Sequence, residues 1–161
     1  MKRWICVLGI GLLLSGCAAV DTFETIGDDY VSEVMAPAGK LEVDFPPDTV
    51  VLAMNDDLQG CIYLCPDYTL SLQTFASGNL EATIQQVSGF KDVQPLRTRM
   101  GGLDRYDWVW STVEEAGDMV SRAAVLDDGA YHYALCVTAS ADTVGVLEQE
   151  WERLFASLRV V

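Results

Sequence analysis

An α+β fold, with a mainly antiparallel sheet packed against a long C-terminal helix and a short middle helix, is predicted by three observations. Between residues 40 and 139 short apolar runs, several of them alternating, are punctuated by Gly, Pro and Asp, as strands joined by tight turns are. From Ser140 the apolar period becomes helical and stays so. Half of the 161 residues are apolar, enough for one domain with a true core.

Each element has its own signal. In residues 40–45, Leu41, Val43 and Phe45 fall on one face of a strand that Pro46 and Pro47 close. Residues 50–54 form a continuous apolar run, the signature of a second, buried strand. Residues 62–64 and 68–75 read as extended, with Tyr68, Leu70 and Leu72 on one face and Pro66 and Asp67 turning the chain between them. Leu80, Ile84 and Val87 then lie at helical spacing, with Asn79 placed to cap and Gly89 to stop the helix. A strand near residues 95–100 and a Gly101-Gly102 turn precede three well-marked strands at 106–113, 119–126 and 130–139. Asp127-Asp128-Gly129 suits a tight hairpin with Gly at positive φ. In the closing helix Val144, Leu147, Trp151, Leu154, Phe155 and Leu158 make a wide apolar stripe. Ser140 is placed to cap it, Asp142 suits the positive end of its dipole and Arg159 the other. Only the sheet is large enough to bury that stripe.

This order of strands, short helix, three-strand meander and closing helix resembles the PsbP-like α/β/α sandwich, the fold of a photosystem II extrinsic protein and of many small secreted or lipid-anchored proteins. The segments RYDWVW, LDDGAYHYAL and WERLFASLRV are also similar to those of uncharacterised bacterial lipoproteins. The likeness covers most of residues 40–161 and is one of pattern. It implies the fold, and with no photosynthetic hallmark beside it, no oxygen-evolving role is carried over.

The start of the chain addresses location. Lys2 and Arg3 precede an apolar segment, residues 4–14, of the length of a signal peptide. A spanning helix needs about 20 apolar residues. Here Ser15 and Gly16 break the run and polar residues follow from Asp21. Leu14, Ser15, Gly16 and Cys17 resemble the lipobox of bacterial lipoproteins. That resemblance implies a diacylglyceryl group on the Cys17 thiol, cleavage before Cys17, and acylation of the new amino terminus by a fatty chain such as palmitate. Two or three chains, at roughly 0.8 kcal/mol per buried methylene, anchor a protein stably. The competing reading is cleavage near Ala18 or Ala19, which frees the protein. Both put the mature domain outside the cytoplasm, the first on the extracytoplasmic face of the cell membrane. The expected organisation is a leader at 1–16, a tether at 17–39 without sustained periodicity, and one domain at 40–161.

Charge narrows the partners. Ten basic residues stand against 24 acidic, a formal charge of −14, and losing Lys2 and Arg3 with the leader takes it to −16. Such a surface repels phosphate backbones and anionic headgroups, which excludes nucleic-acid binding and holds the domain off its own membrane. Solubility is its simplest use; attraction of basic partners is the other.

No motif names a reaction. Cys61-x3-Cys65 with His132-x3-Cys136 has the ligand types of a zinc site, but a strand puts His132 and Cys136 about 13 Å apart. For Cys61 and Cys65 two readings stand, a disulfide that requires CIYLC to bend, or two small buried thiols. Cys136 reads as a packed residue on its strand. His132 is the one histidine, so any Ser-His-Asp or Cys-His mechanism must run through it, and no GxSxG, HExxH, P-loop or GxGxxG accompanies it. Asp127 and Asp128, and Asn55, Asp56 and Asp57, carry oxygen ligands suited to calcium, without EF-hand spacing; turn chemistry explains both. Tyr106, Trp108 and Trp110 share one strand face, either as a platform that stacks on sugar rings or grips a protein partner, or as core beneath the Trp151 helix, the latter favoured.

The expected function is a lipid-anchored extracytoplasmic binding or envelope-accessory module, with an envelope protein or carbohydrate as partner and no cofactor. The competing class is a hydrolase using His132 or a carboxylate pair, and carbohydrate capture through Trp108 and Trp110 is a third reading. A cleft holding His132 near a carboxylate and a nucleophile favours catalysis; an exposed aromatic face favours binding.

Overall fold

Alternating strands and short turns build one seven-stranded antiparallel sheet in the computed structural model, which describes residues 37–54, 60–115 and 117–161. The lipobox with Cys17, the tether up to residue 36, and Asn55, Asp56 and Asp57 lie outside the described residues. In chain order the elements are β1 (Leu41–Glu42), β2 (Val50–Met54), β3 (Gly60–Leu64), β4 (Thr69–Ala76), α1 (Leu80–Ser88), β5 (Leu96–Met100), β6 (Leu103–Glu114), β7 (Gly117–Asp127), β8 (Tyr131–Ser140), α2 (Ala141–Ser157) and β9 (Arg159–Val160). The sheet runs β2-β3-β4-β8-β7-β6-β5, and β1 pairs separately with β9. The chain is an α+β fold, and among the described residues no helix is long and apolar enough to cross a membrane.

Local chemistry sets the boundaries. The Asn79 side chain accepts the Glu81 N–H at 2.9 Å, and Gly89, at φ 79°, ends α1 by donating its N–H to the Gln85 carbonyl. Asp128 Oδ1 accepts the Ala130 and Tyr131 N–H groups, and Gly129 takes the φ of 89° that closes the hairpin. Ser140 stands at the N-cap of α2, but its hydroxyl makes no cap bond; instead the Thr143 hydroxyl donates to the Ser140 carbonyl. Arg159 does reach the end of α2, donating to the Ser157 carbonyl at 3.1 Å, and also binds Asp44 and Glu42.

Each face of the sheet carries one helix. Leu147, Trp151, Leu154, Phe155 and Leu158 bury against Tyr68, Leu70, Leu72, Leu126, Leu135 and Val137. On the other face, Ile84 meets Trp108, Ala123, Val125 and Ala134, with Leu80, Val87 and Phe75 at the margin. Ala123 and Ala134 leave the room that the Trp108 ring fills.

Two expectations are corrected. The first strand is only Leu41–Glu42, because its partner β9 offers just Arg159 and Val160 past the end of α2; Leu41 and Val43 reach the core, but Phe45 is exposed and packs beside Tyr63. The run Val50–Met54 is a strand but not a buried one, since it forms the sheet margin and all five residues are exposed. Gly39 donates its N–H to the Tyr133 hydroxyl at 2.9 Å, and a Cβ there would stand 2.5 Å from Val160. Tyr133 in turn donates to Asp128 Oδ2 at 2.7 Å.

Burial by itself works to raise the Asp128 carboxyl's pKa, but hydrogen bonds from Tyr133, Tyr131 and Ala130 bring it below the usual carboxylate value. A lowered folded pKa contributes stability that is present above the unfolded pKa of about 3.9 and lost as pH falls through the folded value. Asp128→Asn is expected to cost about 1 kcal/mol near neutral pH and to flatten the acid limb of a denaturation-versus-pH curve.

Candidate functional site

The single imidazole is the natural centre from which to look for chemistry. In the register, Phe75, His132 and Asp127 lie abreast on β4, β8 and β7. Above them α1 turns Thr83 toward the sheet, and Thr83 Oγ1 shares a 2.7 Å hydrogen bond with His132 Nδ1. His132 Nε2 stands 3.7 Å from Asp127 Oδ2. Hydroxyl, imidazole and carboxylate thus follow the order of nucleophile, base and orienter. The site is shut, however: Thr83 is 4% and His132 2% exposed, so the hydroxyl has no free face for a substrate carbonyl. What it can do is fasten α1 to the sheet.

The aromatic row sits where neither of its two readings put it. Tyr106, Trp108 and Trp110 pack in the α1-side cluster, on the face opposite Trp151. Trp108 is 6% exposed and stacks on half-buried Trp110 at 6.1 Å between centroids, while Arg97 covers Tyr106 at 5.9 Å. Alternation shows that the three share a face but not which face, and α2 rests instead on β7, β8 and β4. From the sheet, Arg105 donates to the Phe155 carbonyl and Arg122 lies 4.3 Å from the Phe155 ring.

The cysteines occupy separate surroundings. Cys61 lies within β3 opposite Leu72, and Cys65 is buried just past the strand with its Sγ 3.6 Å from the Thr49 hydroxyl. CIYL is straight strand, which holds two positions four residues apart at about 13 Å, beyond the span of a disulfide. Cys61, Cys65 and Cys136 are free thiols, so the bridged reading is replaced by the free one. Burial pushes the Cys136 thiol up to about 11, with Thr138 pulling slightly the other way. Iodoacetamide at pH 8 is therefore expected to leave Cys136 unmodified in the native protein and to label it once urea unfolds the chain, read by peptide mass.

Open features gather at the β2–β3 margin. Val50, Val51, Leu52 and Met54 are 55–59% exposed, and Ile62 and Leu64 beside them are exposed as well. A register shift between Val51 and Ala53 makes Leu52 the extra residue of a bulge. At the Val50 end, Pro46, Pro47 and Asp48 from one loop, Pro66 and Asp67 from the β3–β4 turn, and Glu150 of α2 surround a hollow of about 190 Å³. Tyr68 forms its floor; burial first, then Glu150 and Cys65, raise its pKa far above the usual tyrosine value, and no partner meets its hydroxyl in hydrogen-bonding geometry. Neither the margin nor the hollow was anticipated, although the two Pro-Asp turns that flank this hairpin were visible in the sequence.

No protein-family model matches the chain, and no curated protein sequence matches it. Solved structures do resemble it. Cyanobacterial PsbP (CyanoP) from Synechocystis sp. PCC 6803 aligns at a TM-score of 0.55 and 10% identity, over 80% of this chain and 96% of that one. LpqN, involved in cell envelope biogenesis of Mycobacterium tuberculosis, aligns at 0.53 and 15%, over 78% and 86%. A protein from Bacteroides thetaiotaomicron VPI-5482 aligns at 0.54 and 13%, over 79% of this chain and 47% of that one, so this chain spans about half its length. The layout is PsbP-like. At these identities the likeness is one of fold.

Proposed function

We propose that the protein is a lipid-anchored extracytoplasmic binding or envelope-accessory module, held to the membrane through Cys17. The observation that carries the binding reading is a contrast within the domain. The one imidazole is sealed with Thr83 beneath α1, beside a partly exposed Asp127, while a run of apolar side chains stands uncovered on β2. Proteins of this size seldom expose contiguous apolar surface unless something binds there. The lipobox supports the anchor, and the envelope role of LpqN, a protein alike in fold alone, is in keeping with it.

Intact-mass analysis of the native product tests the location. The expected species begins at Cys17 and carries two or three fatty chains; an unmodified polypeptide beginning downstream of Cys17 would overturn the anchor. The hydrolase reading keeps one observation in its favour, the Thr83–His132–Asp127 order. It requires α1 to lift, and it predicts a hydrolytic activity lost in Thr83→Val while the fold persists.

A further inference from the structure

Edge strands present unpaired N–H and C=O groups, and proteins guard them with charge, proline or cover. The two margins of this sheet are treated differently. β5 carries Arg97 and Arg99, both held by Asp104, at 2.7 and 3.5 Å. β2 reads VVLAM, with no charge and no proline, and it has no second neighbour among the described residues. Its one guard is the bulge at Leu52, which breaks an added ladder into short pieces and leaves side-chain contacts to do most of the holding.

The surroundings specify what fits. Asp48, Asp67 and Glu150 ring the hollow at the Val50 end, and among the described residues none of the three joins an ion pair. The Tyr68 hydroxyl in its floor is buried and without a hydrogen-bond partner. A second copy of the chain suits this margin poorly. Two molecules of net charge −14 repel one another, and each brings Asp48, Asp67 and Glu150 to this margin. A cationic side chain there meets the carboxylates of Asp48, Asp67 and Glu150 above buried Tyr68.

Resting on the binding-module reading, we infer that the β2 margin docks an extended segment of another protein. Its apolar side chains lie on Val50, Val51, Leu52 and Met54, and a Lys or Arg beside them enters the hollow of Asp48, Asp67, Glu150 and Tyr68. This is strand addition with an acidic anchor point.

The test uses the full chain in its native envelope, with the photocrosslinker benzoylphenylalanine replacing Leu52 or, in a separate variant, Val113, exposed on β6 at the other side of the sheet. Products are mapped by peptide mass. From position 52 the expected product joins a peptide of alternating apolar residues with Lys or Arg within two or three positions. Its yield is expected to fall about fivefold or more in Val51→Lys, and likewise in the combined Asp48→Asn, Asp67→Asn, Glu150→Gln variant, which leaves every described ion pair in place. Raising salt is expected to weaken it too. A product joining two copies of this chain, a partner peptide without a basic residue, or a yield unmoved by the triple variant overturns the inference. Products from position 113 but none from 52 overturn the docking site and leave the binding-module reading standing; no products from either position overturn both.

Discussion

His132→Ala is expected to lower stability by about 3 kcal/mol, through a cavity and a buried hydroxyl left without its partner. The imidazole is fully enclosed, its Nδ1 is 2.7 Å from Thr83 Oγ1, and that bond joins α1 to the central strand β8. Thr83→Val removes the other half of the pair and strands a ring nitrogen instead, costing about 1–3 kcal/mol. Because the two share one bond, their effects are not additive, and the double variant His132→Phe, Thr83→Val is expected to be more stable than the sum of its single changes. Urea denaturation of the parent, His132→Ala, His132→Phe, Thr83→Val and the double variant measures this. If His132→Ala falls within about 0.5 kcal/mol of the parent, the imidazole is not the clamp of α1 and its enclosure needs another explanation.

The residues that hold the clamp show where sequence reasoning reaches its end. His132 stood out because it is the one histidine, but its partner lies 49 positions away on a helix, and no periodicity links a helical threonine to a strand several elements later. Local features were legible. Asn79 and Gly89 cap α1, Gly129 closes the β7–β8 hairpin, and the stripe from Leu147 to Leu158 is buried, since each follows from neighbours within a turn or two. The order of strands in the sheet and the side on which each helix lies were not. Val50–Met54 illustrates the loss: a continuous apolar run looks the same whether both faces are covered or, as here, neither is. The Tyr106, Trp108 and Trp110 row illustrates it again. Ala123 and Ala134, on strands paired only in the folded sheet, decide which side has room for an indole.

The same logic separates the anchor from the domain. The two helices and the strands between them are held by burial against one another. On the proposed anchoring, attachment rests on the Cys17 thiol alone and is separable by a single atom. Cys17→Ala is expected to move the protein from the membrane fraction almost wholly to the soluble one and to abolish incorporation of labelled palmitate, while urea stability of the domain stays unchanged. One acyl chain holds a protein only marginally, whereas two or three, each contributing roughly 0.8 kcal/mol per buried methylene, hold it against washing and salt. The acidic surface cannot substitute, because at the net charge of −14 it is repelled by anionic headgroups. Cys136→Ala serves as the control, since its half-buried thiol lies within β8, far along the chain from the leader, and its distribution is expected to match the parent's. If Cys17→Ala remains in membranes but is released by high salt, a protein partner rather than lipid holds it there. If the parent itself is soluble, cleavage beyond Cys17 near Ala18 or Ala19 is the correct reading.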